Sequence, residues 1–173
     1  SKHSFPFSPP LFKGRILFSE PEYGDLIIFK TPTDNRTDYI KRLIGFPGDE
    51  IKFTDGDIYI NGQKIERKVI NNNFLIRCGG AGTEKVIAYK ETLPNGKEYI
   101  AVYNKLGTMK NSDKYVVPRE HYFFLGDNRD CSRDSRFLSS VGYVHKNNLI
   151  GKARIIFFSN DTIVSSLIKF WNW

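Results

Sequence analysis

A chain of 173 residues, 40% hydrophobic and 26% charged, is long enough for one core, or for one core with a β-rich insertion. That balance excludes a disordered polymer, and no apolar run reaches the length needed to span a bilayer. The net charge of +7 suits an anionic surface, nucleic acid or lipid, without choosing between them.

Residues 1–10 hold three prolines and no periodicity, and they lack the charged start and apolar middle of a signal sequence, so they read as a loop or frayed end. Short β-branched and aromatic runs then predict strands over 15–18, 26–29, 39–44, 50–53 and 58–60. Asp55-Gly56 and Asn61-Gly62 are hairpin signals on either side of the last of these. From about residue 63 to 113 the strands become longer and more polar, with turns at Gly79-Gly80, Pro94-Asn95-Gly96 and Asn111-Ser112. The expected division is a discontinuous β core, 1–52 and 115–173, around an inserted β-subdomain, 53–114. The basic cluster from Lys64 to Lys68 reads as a solvated strand or turn. Compact apolar strands return at 115–117 and 122–125, and a last long one is predicted over 149–159. Residues 163–173 alone show helical spacing of apolar side chains; Trp171 and Trp173 suit a membrane interface or a helix end packed on the core. The fold class expected is mostly β. Cys78 and Cys131 allow at most one intramolecular disulfide, and with His3, His121 and His145 they match no recognised zinc spacing. No metal and no other cofactor is expected.

Two segments set ionisable residues against apolar strands. In Tyr39-Ile40-Lys41-Arg42-Leu43-Ile44-Gly45-Phe46-Pro47-Gly48-Asp49, strand alternation puts Lys41 on the side of Tyr39 and Leu43, and Ile40, Arg42 and Ile44 on the other. Burial there disfavours the ammonium form and suits a lysine that acts as a general base; an edge-strand lysine that discourages aggregation is the other reading. The segment from Gly126 to Arg136, GDNRDCSRDSR, is either an exposed turn or an ion-pair network that holds a site rigid.

Together with Gly24-Asp25-Leu26-Ile27-Ile28-Phe29, these segments resemble the type I signal peptidase family. The patterns GD-φ-φ-φ-F, YIKR-φ-φG-φ-PGD and GDNRD-x-S-x-DSR, with φ apolar, occur here in that order, and the resemblance covers roughly residues 15–158. It implies a signal-peptidase-like β-barrel or sandwich core whose reaction is removal of N-terminal signal peptides from exported preproteins by a Ser/Lys dyad. By this resemblance Lys41 is the general base and Ser132 the hydroxyl that orients it. Arg42, Asp127, Asn128, Arg129, Asp134 and Arg136 form the scaffold, and Gly126 is a small residue beside the lysine. The family's nucleophile is a serine followed by methionine. The only methionine here is Met109, after Thr108, and Ser1, Ser4, Ser8 and Ser19 lack the motif. The expectation is therefore that the chain begins after the nucleophile and the membrane anchor, and that it is inert alone.

The resemblance further implies a monomer that meets preprotein signal peptides and a lipid surface but no nucleic acid. Its location would be the bacterial cytoplasmic membrane, with the catalytic domain on the periplasmic face. The substrate would add as a β-strand beside 38–41, with Asp38, Ile28, Tyr39 and Ile40 as its contacts, the last three on pocket walls that exclude large side chains; each of these three could equally belong to the core. Two rival readings remain at this level. A LexA-type self-cleaving regulator shares the Ser/Lys logic but would not carry GDNRD-x-S-x-DSR. A basic β-barrel that binds nucleic acid would need aromatics alternating with Lys or Arg on one sheet face, and no strand shows that pattern clearly.

Overall fold

The structure, a computed structural model, describes residues 20–78, 83–104 and 110–153. Within them run β1 (Leu26–Lys30), β2 (Asp38–Gly45), β3 (Glu50–Thr54), β4 (Asp57–Ile60), β5 (Gln63–Lys64), β6 (Glu66–Ile76), β7 (Glu84–Thr92), β8 (Glu98–Asn104), β9 (Tyr115–Val116), β10 (His121–Leu125), β11 (Val144–His145) and β12 (Leu149–Lys152). A 3₁₀ turn, Lys146–Asn148, precedes β12. The strands form three antiparallel sheets, in the orders β11-β10-β2-β1-β12, β5-β4-β3-β9 and β6-β7-β8. The fold is mostly β, as the residue patterns predict. No helix among the described residues is long and apolar enough to cross a membrane.

β2 is the strand on which the site depends. From Lys41 to Gly45 every residue is buried, because apolar clusters cover both faces of the strand. Leu43 joins Ile27, Phe29, Phe124, Val144 and Leu149 on one side, while Ile44 joins Ile51, Phe53, Ile58, Phe123 and Leu125 on the other. Side-chain alternation along a strand requires this division of neighbours between two cores. β1 pairs with β2 along its first half, from Lys30 opposite Asp38 to Leu26 opposite Arg42. β10 pairs only with its second half, Leu125 lying opposite Arg42 and Phe123 opposite Gly45.

The predicted strands over 26–29, 39–44, 50–53, 58–60, 115–117 and 122–125 are each present to within a residue or so at their ends. Both hairpin turns form with left-handed backbones, φ 51° and 81° at Asp55 and Gly56, 52° and 78° at Asn61 and Gly62, the geometry that Asp-Gly and Asn-Gly pairs favour. Asn111 and Ser112, expected in a turn, run beside the end of β3: Asp55 N donates to Asn111 Oδ1 at 2.9 Å, and Phe53 N to Ser112 Oγ at 3.1 Å. β11 is absent from the sequence reading, since two residues are too few for periodicity to register. The strand expected over 149–159 is described as far as Lys152. The expected loop at 1–10, strand at 15–18, turn at Gly79-Gly80 and helical stretch at 163–173 lie outside the described residues.

Candidate active site

β10 ends at Leu125, opposite Arg42, and the chain then turns at Gly126 into the polar segment that closes over β2. Lys41 is only 6% exposed. Its Nζ donates to Ser132 Oγ at 2.5 Å and lies 5.3 Å from the centre of the Tyr39 ring. Burial pushes the lysine below its ordinary pKa of 10.5; Asp134 and Asp127 act against that, and Arg136 adds to it. The two residues meet across 91 positions of sequence.

Gly126 makes the contact possible. A Cβ on this residue would overlap both Oγ and Cβ of Ser132, far inside the 3.0 Å that real Cβ contacts keep, and would stand 3.5 Å from Lys41 Nζ. The hydroxyl therefore sits directly against the glycine backbone.

The remaining charges pair with one another around this contact. Arg42, on the opposite face of β2 from Lys41, donates through Nε and Nη2 to the two oxygens of Asp127 at 2.7 and 2.5 Å, and through Nη1 to the Gly24 carbonyl at 2.7 Å. Its guanidinium lies 4.3 Å from the centre of the Tyr99 ring. Asp134 accepts from Gly126 N at 2.9 Å and from Nε and Nη2 of Arg136, both at 2.8 Å; Arg136 Nη2 also donates to the Arg129 carbonyl. Arg129 pairs with Glu91, both side chains 1% exposed, at 2.7 Å, and its Nε donates to the Gly126 carbonyl at 3.0 Å. Tyr99 OH and Tyr103 OH both donate to Glu91. Asn128 accepts from Cys131 N at 3.3 Å and turns its amide toward Cys78 Sγ, 3.9 Å away. Each buried ion here has a charged or hydrogen-bonded counterpart, the condition under which buried charge is tolerated.

Arg42, Gly126, Asp127, Arg129, Asp134 and Arg136, singled out in the sequence, lie in this network, and Asn128 stands beside it against the two cysteines. Glu91, Tyr99 and Tyr103 also belong to it, and no sequence signal found them, because they come from polar strands whose charges read as solvated. Cys78 and Cys131 form the one disulfide the sequence allows, Cα to Cα 5.4 Å. Among the described residues a cluster of metal-ligand type, Cys78, Glu84 and Cys131, has both its sulfurs bonded to each other.

The expected substrate contacts are more dispersed. Ile28 and Ile40 lie directly opposite each other on one face of the β1–β2 pair, both half-buried, while Tyr39 lies opposite Phe29 on the face that Lys41 occupies. Asp38 is exposed and pairs with Lys30 at 2.9 Å. Because β10 begins to pair only at Arg42, no strand among the described residues bonds β2 over 38–41 on the side away from β1.

The family profile described as "Signal peptidase, peptidase S26" matches residues 7–158. The chain is 42% identical over 179 residues to the "Signal peptidase I" of Rickettsia typhi, which covers 95% of this chain and 65% of the relative. It is 46% identical over 175 residues to that of Rickettsia akari, covering 92% and 62%. The chain thus spans just under two thirds of the length of these relatives. Among solved structures, a signal peptidase I from Enterococcus faecalis V583 is similar at 25% identity and a TM-score of 0.46, over 79% of this chain and 99% of that one.

Proposed function

We propose that this chain, which belongs to the signal peptidase family, peptidase S26, carries the general base of a serine endopeptidase that removes signal peptides from preproteins. The observation that carries the reading is the buried Lys41 amine, 2.5 Å from Ser132 Oγ, on β2 just before β10 begins to pair with that strand. A lysine acts as a base at moderate pH only when its ammonium form is disfavoured, and burial has that effect here. Ser132 orients the amine, and the ion pairs around Asp127, Asp134, Arg129 and Arg136 fix the loop that carries Ser132. Neutral Lys41 takes the proton of an attacking serine hydroxyl as the acyl-enzyme forms, then activates the water that hydrolyses it. No serine of these 173 residues stands in the family's Ser-Met context, so the nucleophile is assigned to none of them.

The substrate adds as a strand beside 38–41, its backbone bonding the side of β2 away from β1. Side chains two apart on such a strand share a face. Ile28 and Ile40 would wall one face, and Tyr39 would flank the lysine on the other. The Cys78–Cys131 disulfide supports an oxidising, extracytoplasmic setting, in keeping with a catalytic domain on the outer side of a bacterial cytoplasmic membrane.

The test is Lys41→Ala in the gene product, assayed for cleavage of a fluorogenic signal-peptide substrate in lipid or detergent. Cleavage should be abolished while the β-sheet circular dichroism is unchanged. Activity within tenfold of wild type would remove Lys41 as the base.

A further inference from the structure

We propose that the Cys78–Cys131 disulfide is a positioning brace for Ser132, so that opening it in the folded protein slackens the Lys41–Ser132 contact. The inference rests on the roles given above to Lys41 and Ser132. It concerns two residues that those roles do not involve, Cys131 standing at an unspecified position of GDNRD-x-S-x-DSR.

The backbone is held firmly on both sides of Ser132. Before it, Val102 N donates to the Asp127 carbonyl at 2.8 Å, Arg129 N donates to the Val102 carbonyl at 3.0 Å, and Asp130 accepts from Asn104 N at 2.5 Å. After it, Ser135 and Phe124 bond twice, N to O at 3.0 Å and N to Oγ at 2.9 Å. Between these anchors the bond from Cys131 N to Asn128 Oδ1 is long, 3.3 Å. Cys131 is covalently tied, however, to Cys78, two residues beyond the end of β6. The two cysteines pack against Ile76, Val86, Ala88 and Val102, so the far end of the tie rests on the three-stranded sheet. The residue next to Cys131 is the one pressed against Gly126, with its hydroxyl 2.5 Å from Lys41. A displacement of about 1 Å carries that bond to the limit of hydrogen-bond reach.

A dithiol reductant such as dithiothreitol opens the bond by thiolate attack. Two electrons and two protons pass to the sulfurs of Cys78 and Cys131, and the reductant closes to its own disulfide. The charges that bear on Lys41 are Asp134 and Asp127, which favour the ammonium, and Arg136, which with burial opposes it. A slackened contact admits water, weakens the effect of burial and raises the titration midpoint.

The experiment titrates the side-chain carbons of ¹³C-labelled lysines in the 173-residue protein, oxidised and reduced, with Lys41→Met assigning the signal. Reduction should raise the Lys41 midpoint by about one pH unit. Reoxidation should restore it, and Cys78→Ala/Cys131→Ala should behave as the reduced form. Backbone amide signals of β3 and β4, away from the loop, should not move on reduction. A Lys41 midpoint unmoved while thiol titration shows full reduction would overturn the proposal. So would loss of the β-sheet circular dichroism on reduction, since the bond would then staple the whole fold. The readout needs no cleavage, so it fails or stands independently of the peptidase reading.

Discussion

Gly126→Ala tests whether packing or hydrogen bonding alone sets the Lys41–Ser132 contact. The added methyl would overlap Ser132 Oγ and Cβ and stand 3.5 Å from Lys41 Nζ. The neighbour that must yield is the short Ser132 side chain on a buried loop, so relief comes from moving the loop backbone. Overpacking of this kind costs about 1–3 kcal/mol, and a buried hydroxyl pulled from its partner adds about 1 kcal/mol. A total near 3 kcal/mol corresponds to roughly a hundredfold change in the unfolding equilibrium. Urea unfolding of the two proteins measures the cost, and lysine ¹³C titration reports whether Lys41 has lost its partner. A loss below about 1 kcal/mol with an unchanged Lys41 midpoint would show that the loop accommodates a side chain at 126. The assignment of Gly126 as the residue that admits Ser132 would then be wrong.

Glu91→Gln should leave the Arg129 guanidinium buried without its counter-charge and cost about 3–5 kcal/mol in chemical denaturation; a cost under about 1 kcal/mol would show that Tyr99 and Tyr103 satisfy Arg129 unaided. Cleavage by the gene product should rise with pH through a midpoint below 10.5, because only the neutral amine takes a proton. Folding stability should rise with pH between that midpoint and 10.5, since the folded state there binds fewer protons than the unfolded one. Because Asp127 favours the ammonium, Asp127→Asn should move the Lys41 midpoint further down, and an upward shift would contradict the electrostatics described. The 173 residues alone should not cleave a fluorogenic signal-peptide substrate, as no Ser-Met pair is among them, and Lys41-dependent turnover would place the nucleophile within them.

Strand existence was legible from local pattern because β1, β2, β3, β4 and β10 are short apolar runs between turn residues, and Asp-Gly and Asn-Gly pairs fix their own backbone. The central place of β2 was less so. Its residues 41–45 are buried on both faces, whereas alternation in the sequence left Lys41 open between a buried base and an edge-strand lysine. The meeting of Lys41 with Ser132 could not come from spacing, since 91 residues separate them; only the three motifs taken together brought them to one site. Glu91 stayed hidden because burial of an acid depends on a partner elsewhere in the chain, here Arg129, and a Lys-Glu-Thr stretch announces no partner. The cysteine count limited the chain to one disulfide, while its formation depends on β6 ending beside the loop at 131.

Lys41 and Arg42 are adjacent on one strand and both buried, yet their surroundings treat charge in opposite ways. Arg42 receives a bidentate carboxylate, a carbonyl and an aromatic face, everything a permanent cation needs to leave water. Lys41 is given a hydroxyl at 2.5 Å, while the carboxylates that favour its charge offset only part of the effect of burial. A guanidinium cannot surrender its proton, whereas a desolvated amine can. Alternation of side chains along β2 therefore separates a structural cation from a reactive one across the thickness of a single strand. The same Asp127 that takes two hydrogen bonds from Arg42 acts on Lys41 as a charge that favours the ammonium. Exchange of the two residues would bury an arginine beside Ser132 and leave Asp127 a point charge in place of a fork, so the order Lys-Arg follows from the chemistry each face requires.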